Sequence, residues 1–139
     1  LDTIEGKLQL CCAGHETPVL ARPGQLPSMV DVKAGPPLCV IDDFEYRENR
    51  MILRPGERLV LISDGITEAQ NLNRELYGRQ RIVERIGDME EKKLDAENIC
   101  RSLYDDVKTF SSGAGQFDDI TIMAVGFRDF FAAQKNKSP

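Results

Sequence analysis

Two short acidic segments carry the residues best suited to chemistry in this chain. Ser63-Asp64-Gly65-Ile66-Thr67-Glu68-Ala69 follows the apolar run Leu59-Val60-Leu61-Ile62, and well downstream comes Phe117-Asp118-Asp119-Ile120-Thr121-Ile122. Each sets carboxylates at the end of a predicted strand, and carboxylate oxygens delivered in this way suit hard divalent cations. At the first segment, four apolar residues carry Asp64 rigidly to the sheet edge. Gly65 then permits a backbone conformation that other residues resist and leaves room for a ligand. The plainer reading is a strand-ending turn in which Asp64 caps the helix that follows. At the second segment, adjacent Asp118 and Asp119 repel one another, a repulsion that a divalent cation or plain solvent relieves. Thr121, two residues beyond Asp119, shares its face of the predicted strand, while Ile120 and Ile122 take the other.

The elements that must position these residues follow from periodicity. Lys7 to Ala13 alternates, with Leu8, Leu10 and Cys12 on one face, as a half-buried strand does. Pro18 to Arg22 reads as a second strand closing at Pro23-Gly24, and Leu26 to Pro37 as a loop-rich stretch. Phe44 to Leu53 reads as extended, with Pro55-Gly56 turning tightly into Arg58 to Ser63. After Asp64 the character changes. Ile66 to Leu72 is short and helix-compatible, and Ile82, Val83 and Ile86 make a helical face expected to stop at Gly87. Asp95 is a good N-cap for a longer helix in which Ala96, Ile99, Cys100, Leu103, Val107 and Phe110 recur at three- and four-residue steps. Ser111-Ser112-Gly113-Ala114-Gly115 breaks that helix, and Asp119 to Phe127 is expected to be a final strand. Strands, then helices, then one returning strand give an α+β fold, an antiparallel sheet covered by helices on one side.

Composition narrows the function classes. A chain of 139 residues, 41% hydrophobic and 29% charged, is a globular domain with an ordinary core. Its net charge of -5, with Lys and Arg scattered, argues against a nucleic-acid surface. No apolar run approaches the length of a membrane span, and the first residues do not form a signal peptide. With one His in the chain, a His-rich zinc site is excluded. Cys11, Cys12, Cys39 and Cys100 lack metal-type spacing and read as small buried hydrophobes, reduced in a cytoplasm. His15 is the lone candidate acid, but the bland reading is favoured: it holds the turn after Ala13-Gly14 by hydrogen bonding.

Taken jointly, the motifs resemble a known family. The pattern strand-Ser63-Asp64-Gly65-x-Thr67-Glu68-Ala69, then Leu76-Tyr77-Gly78, a long helix and Asp118-Asp119-Ile120-Thr121 resembles the PPM (type 2C) serine/threonine phosphatases of the bacterial SpoIIE/RsbU-like branch. Ala13-Gly14-His15 with Pro18, Gly35-Pro36-Pro37-Leu38 and Leu53-Arg54-Pro55-Gly56-Glu57 resemble further segments of that branch, so the likeness runs from Leu8 to Gly126. Cys12 and Cys39 stand where the family usually has Asn and Gly.

The resemblance implies a partial type 2C-like αββα sandwich. Residues 1–128 would be the C-terminal part of the phosphatase domain and 129–139 a polar tail. It also implies two Mn²⁺ or Mg²⁺ ions that activate a water for attack on a phosphoserine or phosphothreonine, with Asp64 and Asp118 as catalytic metal ligands. Asp119, at a position where relatives often carry Asn, would stand behind the ligands with Gly65 and Thr121. Paired cations ~3.5–4 Å apart lower the pKa of the water and offset the charge of the transition state. The implied substrate is a phosphorylated bacterial signalling protein such as an anti-sigma-factor antagonist, under an upstream sensor or receiver domain.

The family's upstream Gly-Asp motif, whose Asp bridges both ions, has no counterpart in the chain, which also lacks an initiator Met. The N-terminal part of the domain is therefore expected either to lie in a longer protein or to have been lost by natural truncation, and the isolated chain to be weakly active or inactive. A sheet edge left uncovered by missing strands invites a homodimer. The rival reading is a non-catalytic interaction domain with a phosphatase-like fold, and a third is a scaffold assembling through its exposed edge.

Overall fold

The computed structural model describes residues 1–115 and 118–127. Phe117, at the head of the second acidic segment, and the expected tail at 129–139 lie outside the described residues. Among the described residues, seven strands and three helices follow in the order β1 (Lys7–Ala13), β2 (Val19–Ala21), β3 (Ser28–Met29), β4 (Ala34–Gly35), β5 (Glu48–Ile52), β6 (Arg58–Ile62), α1 (Asp64–Thr67), α2 (Gly78–Glu91), α3 (Ala96–Phe110) and β7 (Ile122–Gly126). The fold is α+β, as the order of elements predicts.

The strands form two sheets. One has the order β3-β2-β6-β7 and is antiparallel throughout; the other has the order β4-β1-β5. The second departs from the expected antiparallel pattern, because β4 pairs with β1 in parallel over Cys12↔Ala34 and Ala13↔Gly35. Such a pairing is set by the path of the loop-rich segment and not by strand propensity, so alternation alone does not reveal it.

β6 shows why the layers stack. Val60 and Ile62 join a core with Val19 and Ala21 of β2, Ile82, Ile86 and Met89 of α2, and Ile99, Leu103 and Val107 of α3. Leu59 points the other way, into a second core with Leu8, Leu20 and Leu53. The period-two alternation of a strand therefore feeds both cores from one element. The result is three layers: helices on the four-stranded sheet, and that sheet on the three-stranded one.

Several local expectations hold. Asp95 caps α3, its carboxylate accepting a hydrogen bond from Asn98 N. Pro55-Gly56 turns tightly, with Gly56 at φ 87° and the Glu57 carboxylate accepting from Arg54 N at 2.9 Å. The break after α3 carries Gly113 at φ 85°.

Others are corrected. α2 does not stop at Gly87 but runs to Glu91, because Met89 continues the buried face of Ile82 and Ile86. Gly87 lies beside Pro27, where an added Cβ would make an ordinary contact at 3.5 Å from the proline ring. The extended stretch expected from Phe44 becomes a strand only at Glu48, since the chain is still turning at Asp43, φ 53°. The four thiols are free but not all buried: Cys12 is buried, Cys100 intermediate, Cys11 and Cys39 exposed. Cys11 and Cys12 do take opposite faces of β1, as adjacent strand residues must.

Tyr77 locks α2 to α3. Its ring is buried edge-on against Phe110, and its hydroxyl donates to the Asp106 carboxylate. Burial, and then that bond, push the Tyr77 phenol well above its ordinary range.

Candidate active site

The two acidic segments meet because their strands are neighbours. In the antiparallel register of β6 and β7, Ile62 lies opposite Ile122. The chain leaving β6 at Ser63-Asp64 and the chain entering β7 from Asp118-Asp119 therefore emerge at the same end of the sheet. Ser63 ties them. Its N–H donates to Thr121 O at 3.0 Å, its hydroxyl donates to Asp119 O at 2.9 Å, and Thr121 N donates to its Oγ at 2.9 Å. Reading the sequence for acids passed over this residue. The available signal was a hydroxyl side chain between an apolar strand and Asp-Gly.

Gly65 serves a different purpose from the one expected. It lies within α1 and is not among the residues of positive φ, so no special backbone conformation demands glycine. A Cβ at this position would instead fall 2.3 Å from Asp119 O and 3.3 Å from Asp118 C. The space is taken by the second acidic segment itself. Absence of a side chain is what lets the two segments pack.

Asp64 is exposed, the first residue of α1. It does not cap the helix. Ser63 is the N-cap residue, without a side-chain cap bond, and among the described residues the Asp64 Oδ1 accepts from its neighbour Gly65 N at 3.0 Å. Asp118 and Asp119 are also exposed, and Asp118 Oδ1 accepts from Asp119 N at 2.7 Å. The strand expected from Asp119 begins only at Ile122. Strand alternation therefore does not put Asp119 and Thr121 on one face. Both act through the backbone instead, as the partners of Ser63.

A cavity of 460 Å³ opens beside Asp64, lined by Gly14, His15, Glu16, Ser63 and Arg79 among others. His15, which nothing in the sequence set near the acidic segments, thus lies in the same cavity as Asp64. Its Nδ1 is 3.1 Å from Glu16 O, so the turn-holding role holds as well. Glu16 and Arg79, both overlooked in the sequence, form a bidentate pair, with Nε to Oε2 at 3.0 Å and Nη2 to Oε1 at 3.1 Å. The Thr67 hydroxyl sits 3.1 Å from Asp64 O and 3.5 Å from Glu16 Oε1. The hydrogen bond and charge of Glu16 hold the Arg79 guanidinium still more firmly protonated.

The donor chemistry of Asp64 and Asp118 fits Mn²⁺ or Mg²⁺, which take hard oxygen ligands. The donor number falls short of a whole site. Among the described residues, no group of three His, Cys, Asp or Glu side chains is arranged to hold an ion. The two carboxylates fit a divalent centre as contributors that need further oxygens.

Comparison with known proteins is consistent with this geometry. The family model described as Stage II sporulation protein E (SpoIIE) matches residues 1–128. Protein IcfG of Synechocystis sp. is 27% identical over 125 residues, covering 90% of this chain and 19% of that protein. The phosphatase domain of the cell fate determinant SpoIIE from Bacillus subtilis superposes with a TM-score of 0.68 at 20% identity, over 94% of this chain and 56% of that one. The RsbU and RsbW domains of Rv1364c from Mycobacterium tuberculosis superpose with a TM-score of 0.71 at 22% identity, over 92% and 34%. At these identities the structural likeness shows the fold. The chain spans about a fifth of IcfG and little more than half of the Bacillus domain.

Proposed function

This chain belongs to the SpoIIE family, and from that premise we propose that its acidic junction is the C-terminal share of a metal-dependent phosphatase site. The reaction is hydrolysis of a phosphoserine or phosphothreonine on a bacterial signalling protein, of the kind represented by anti-sigma-factor antagonists. One observation carries the reading: Ser63 and Gly65 bring Asp64 and Asp118 to one end of the sheet, with both carboxylates exposed.

Asp64 and Asp118 would hold Mn²⁺ or Mg²⁺ together with oxygens from the rest of the domain. When bound, such ions lower the pKa of a water and offset phosphoryl charge. The Bacillus SpoIIE domain has been solved in a Mn-presoaked form, which supports manganese as the first ion to test. The chain's own residues do the positioning. β6 fixes Asp64, the Ser63 hydroxyl fixes the backbone at Asp119 and Thr121, and the open cavity beside Asp64 admits the phosphorylated side chain. A sensor or receiver domain ahead of the site would supply regulation, and the setting is cytoplasmic.

A non-catalytic interaction domain is the second reading, favoured by the shortfall of metal donors among the described residues. Phosphate release separates the two. A form extended to the full length of the relatives' phosphatase domain is assayed on a phosphoserine protein across Mn²⁺ concentrations, with and without Asp64→Asn. Release should require Mn²⁺ and fall roughly 100-fold or more in the variant, the scale on which one preorganised electrostatic contact acts. Unchanged release in a folded Asp64→Asn protein would remove Asp64 from the site. No release at any Mn²⁺ level, with partner binding retained, would favour the interaction domain.

A further inference from the structure

We propose that Arg79, braced by Glu16, is the contact through which the Asp64 cavity recognises the phosphoryl group of its substrate. The inference rests on reading that cavity as a phosphoserine site, and it names a residue that the metal chemistry does not require.

Charge is the first argument. The chain carries a net charge of -5, and Asp64 and Glu16 both line the cavity. A phosphate dianion entering there meets two carboxylates. Among the described lining residues Arg79 bears the permanent positive charge that offsets them. Long-range attraction from the rest of an acidic chain does not help, so a local cation has to.

Geometry is the second. Glu16 occupies the Nε–Nη2 edge of the guanidinium in a two-bond fork. That pairing fixes the plane of the group and leaves the Nη1 hydrogens outside it. A planar guanidinium with one edge pinned is preorganised to offer the other to phosphate oxygens. The two partners are unequally placed: the Glu16 side chain is 13% exposed and that of Arg79 63%. The carboxylate is the anchor and the guanidinium is the open end. Thr67, within hydrogen-bonding reach of both Glu16 Oε1 and Asp64 O, ties the anchor to the turn that presents Asp64.

A purely structural clasp between the β1–β2 turn and α2 would use the same two residues. An ion pair with one member this exposed contributes little to stability, however. A clasp also has no reason to discriminate phosphorylated ligands, and that difference makes the roles separable.

The test uses the domain-length form described above. A fluorescent phosphoserine peptide and its unphosphorylated twin are titrated without Mn²⁺, so that nothing turns over, into wild type, Arg79→Ala, Arg79→Lys and Glu16→Gln. Wild type should prefer the phosphopeptide, and Arg79→Ala should lower that preference about 10-fold, the scale of one charge-assisted contact. Arg79→Lys should recover part of it by charge alone, and Glu16→Gln should fall between. Should Arg79→Ala fail to fold, the lysine and glutamine variants carry the same test. Equal preference in wild type and a folded Arg79→Ala protein, or no preference in wild type, overturns the proposal. Phosphate release with Mn²⁺ keeps the two failures distinct. Preference that follows Arg79 without release sustains the recognition role and sinks the enzyme. Release with an unchanged KM in Arg79→Ala sustains the enzyme and sinks the recognition role.

Discussion

Replacing Gly65 with alanine tests the central feature of the site, the close packing of its two acidic segments. The two physical effects of the change have opposite sign. Gly65 is a residue of α1, and glycine in a helix is less favourable than alanine by about 1 kcal/mol, so propensity alone predicts a gain. Against this, the new methyl would lie 2.3 Å from Asp119 O and 2.9 Å from Asp119 C. Those atoms are backbone and cannot swing aside. Reaching ordinary contact requires a shift of about 1 Å, and overpacking of this kind costs about 1–3 kcal/mol. A shift of that size also stretches the 2.9 Å bonds linking Ser63 to Asp119 and Thr121 past useful length, a further loss of about 1 kcal/mol.

The balance is a destabilisation of about 2 kcal/mol, which at a typical urea dependence moves the midpoint down by about 1 M. Urea unfolding followed by circular dichroism measures it directly on this chain, with no need for substrate or metal. In the domain-length form, phosphate release should fall about 100-fold, since a 1 Å displacement of positioned groups acts on that scale. A midpoint equal to or above that of wild type would show that helix propensity wins. The packing of Gly65 against Asp119 would then not hold the site together.

Two further outcomes follow from the same structure. Ser63→Ala should lower the urea midpoint by about 1 kcal/mol equivalent, and Ser63→Thr should restore most of it by keeping the hydroxyl; equal loss in both would contradict the tie to Asp119 and Thr121. Tyr77 predicts an alkaline loss of stability: its phenol stays protonated in the folded chain while the unfolded chain ionises from about pH 10, so the folded state binds more protons and stability falls as pH rises past that point. Urea midpoints between about pH 8 and 11 should show the fall, blunted in Tyr77→Phe, and an unchanged slope in that variant would refute the assignment.

What the sequence showed and what it hid divide along a physical line. The apolar run of β6, the alternation of β1 and the Asp95 cap of α3 are local, each encoded within a few residues, and they appear where expected. Gly87 does not end the helix because a single glycine costs about 1 kcal/mol, less than the gain from burying Met89 two residues on. The start of β7 was misplaced because Asp119 and Thr121 spend their backbone bonds on Ser63 and not on a strand ladder. His15 and Arg79 come to line one cavity with Asp64 through the tertiary packing of the sheets and α2, and no local pattern encodes that.

Two explanations for Asp64 differ in what they ask of its carboxylate. A strand-ending turn that needed the carboxylate would use it to satisfy the open N–H groups of α1. Among the described residues it does so once: Ser63 holds the N-cap position, and Asp64 Oδ1 accepts from the Gly65 N–H of the first turn. The turn is held by the Ser63 hydroxyl and by the space at Gly65, both of which would serve as well with an uncharged residue between them. A charged, exposed side chain fixed on a strand end by one local bond can still offer its other oxygen to a ligand. The fold accounts for Ser63 and Gly65 through packing and hydrogen bonds, and the metal role proposed for Asp64 would draw on the exposed carboxylate beyond its bond to Gly65.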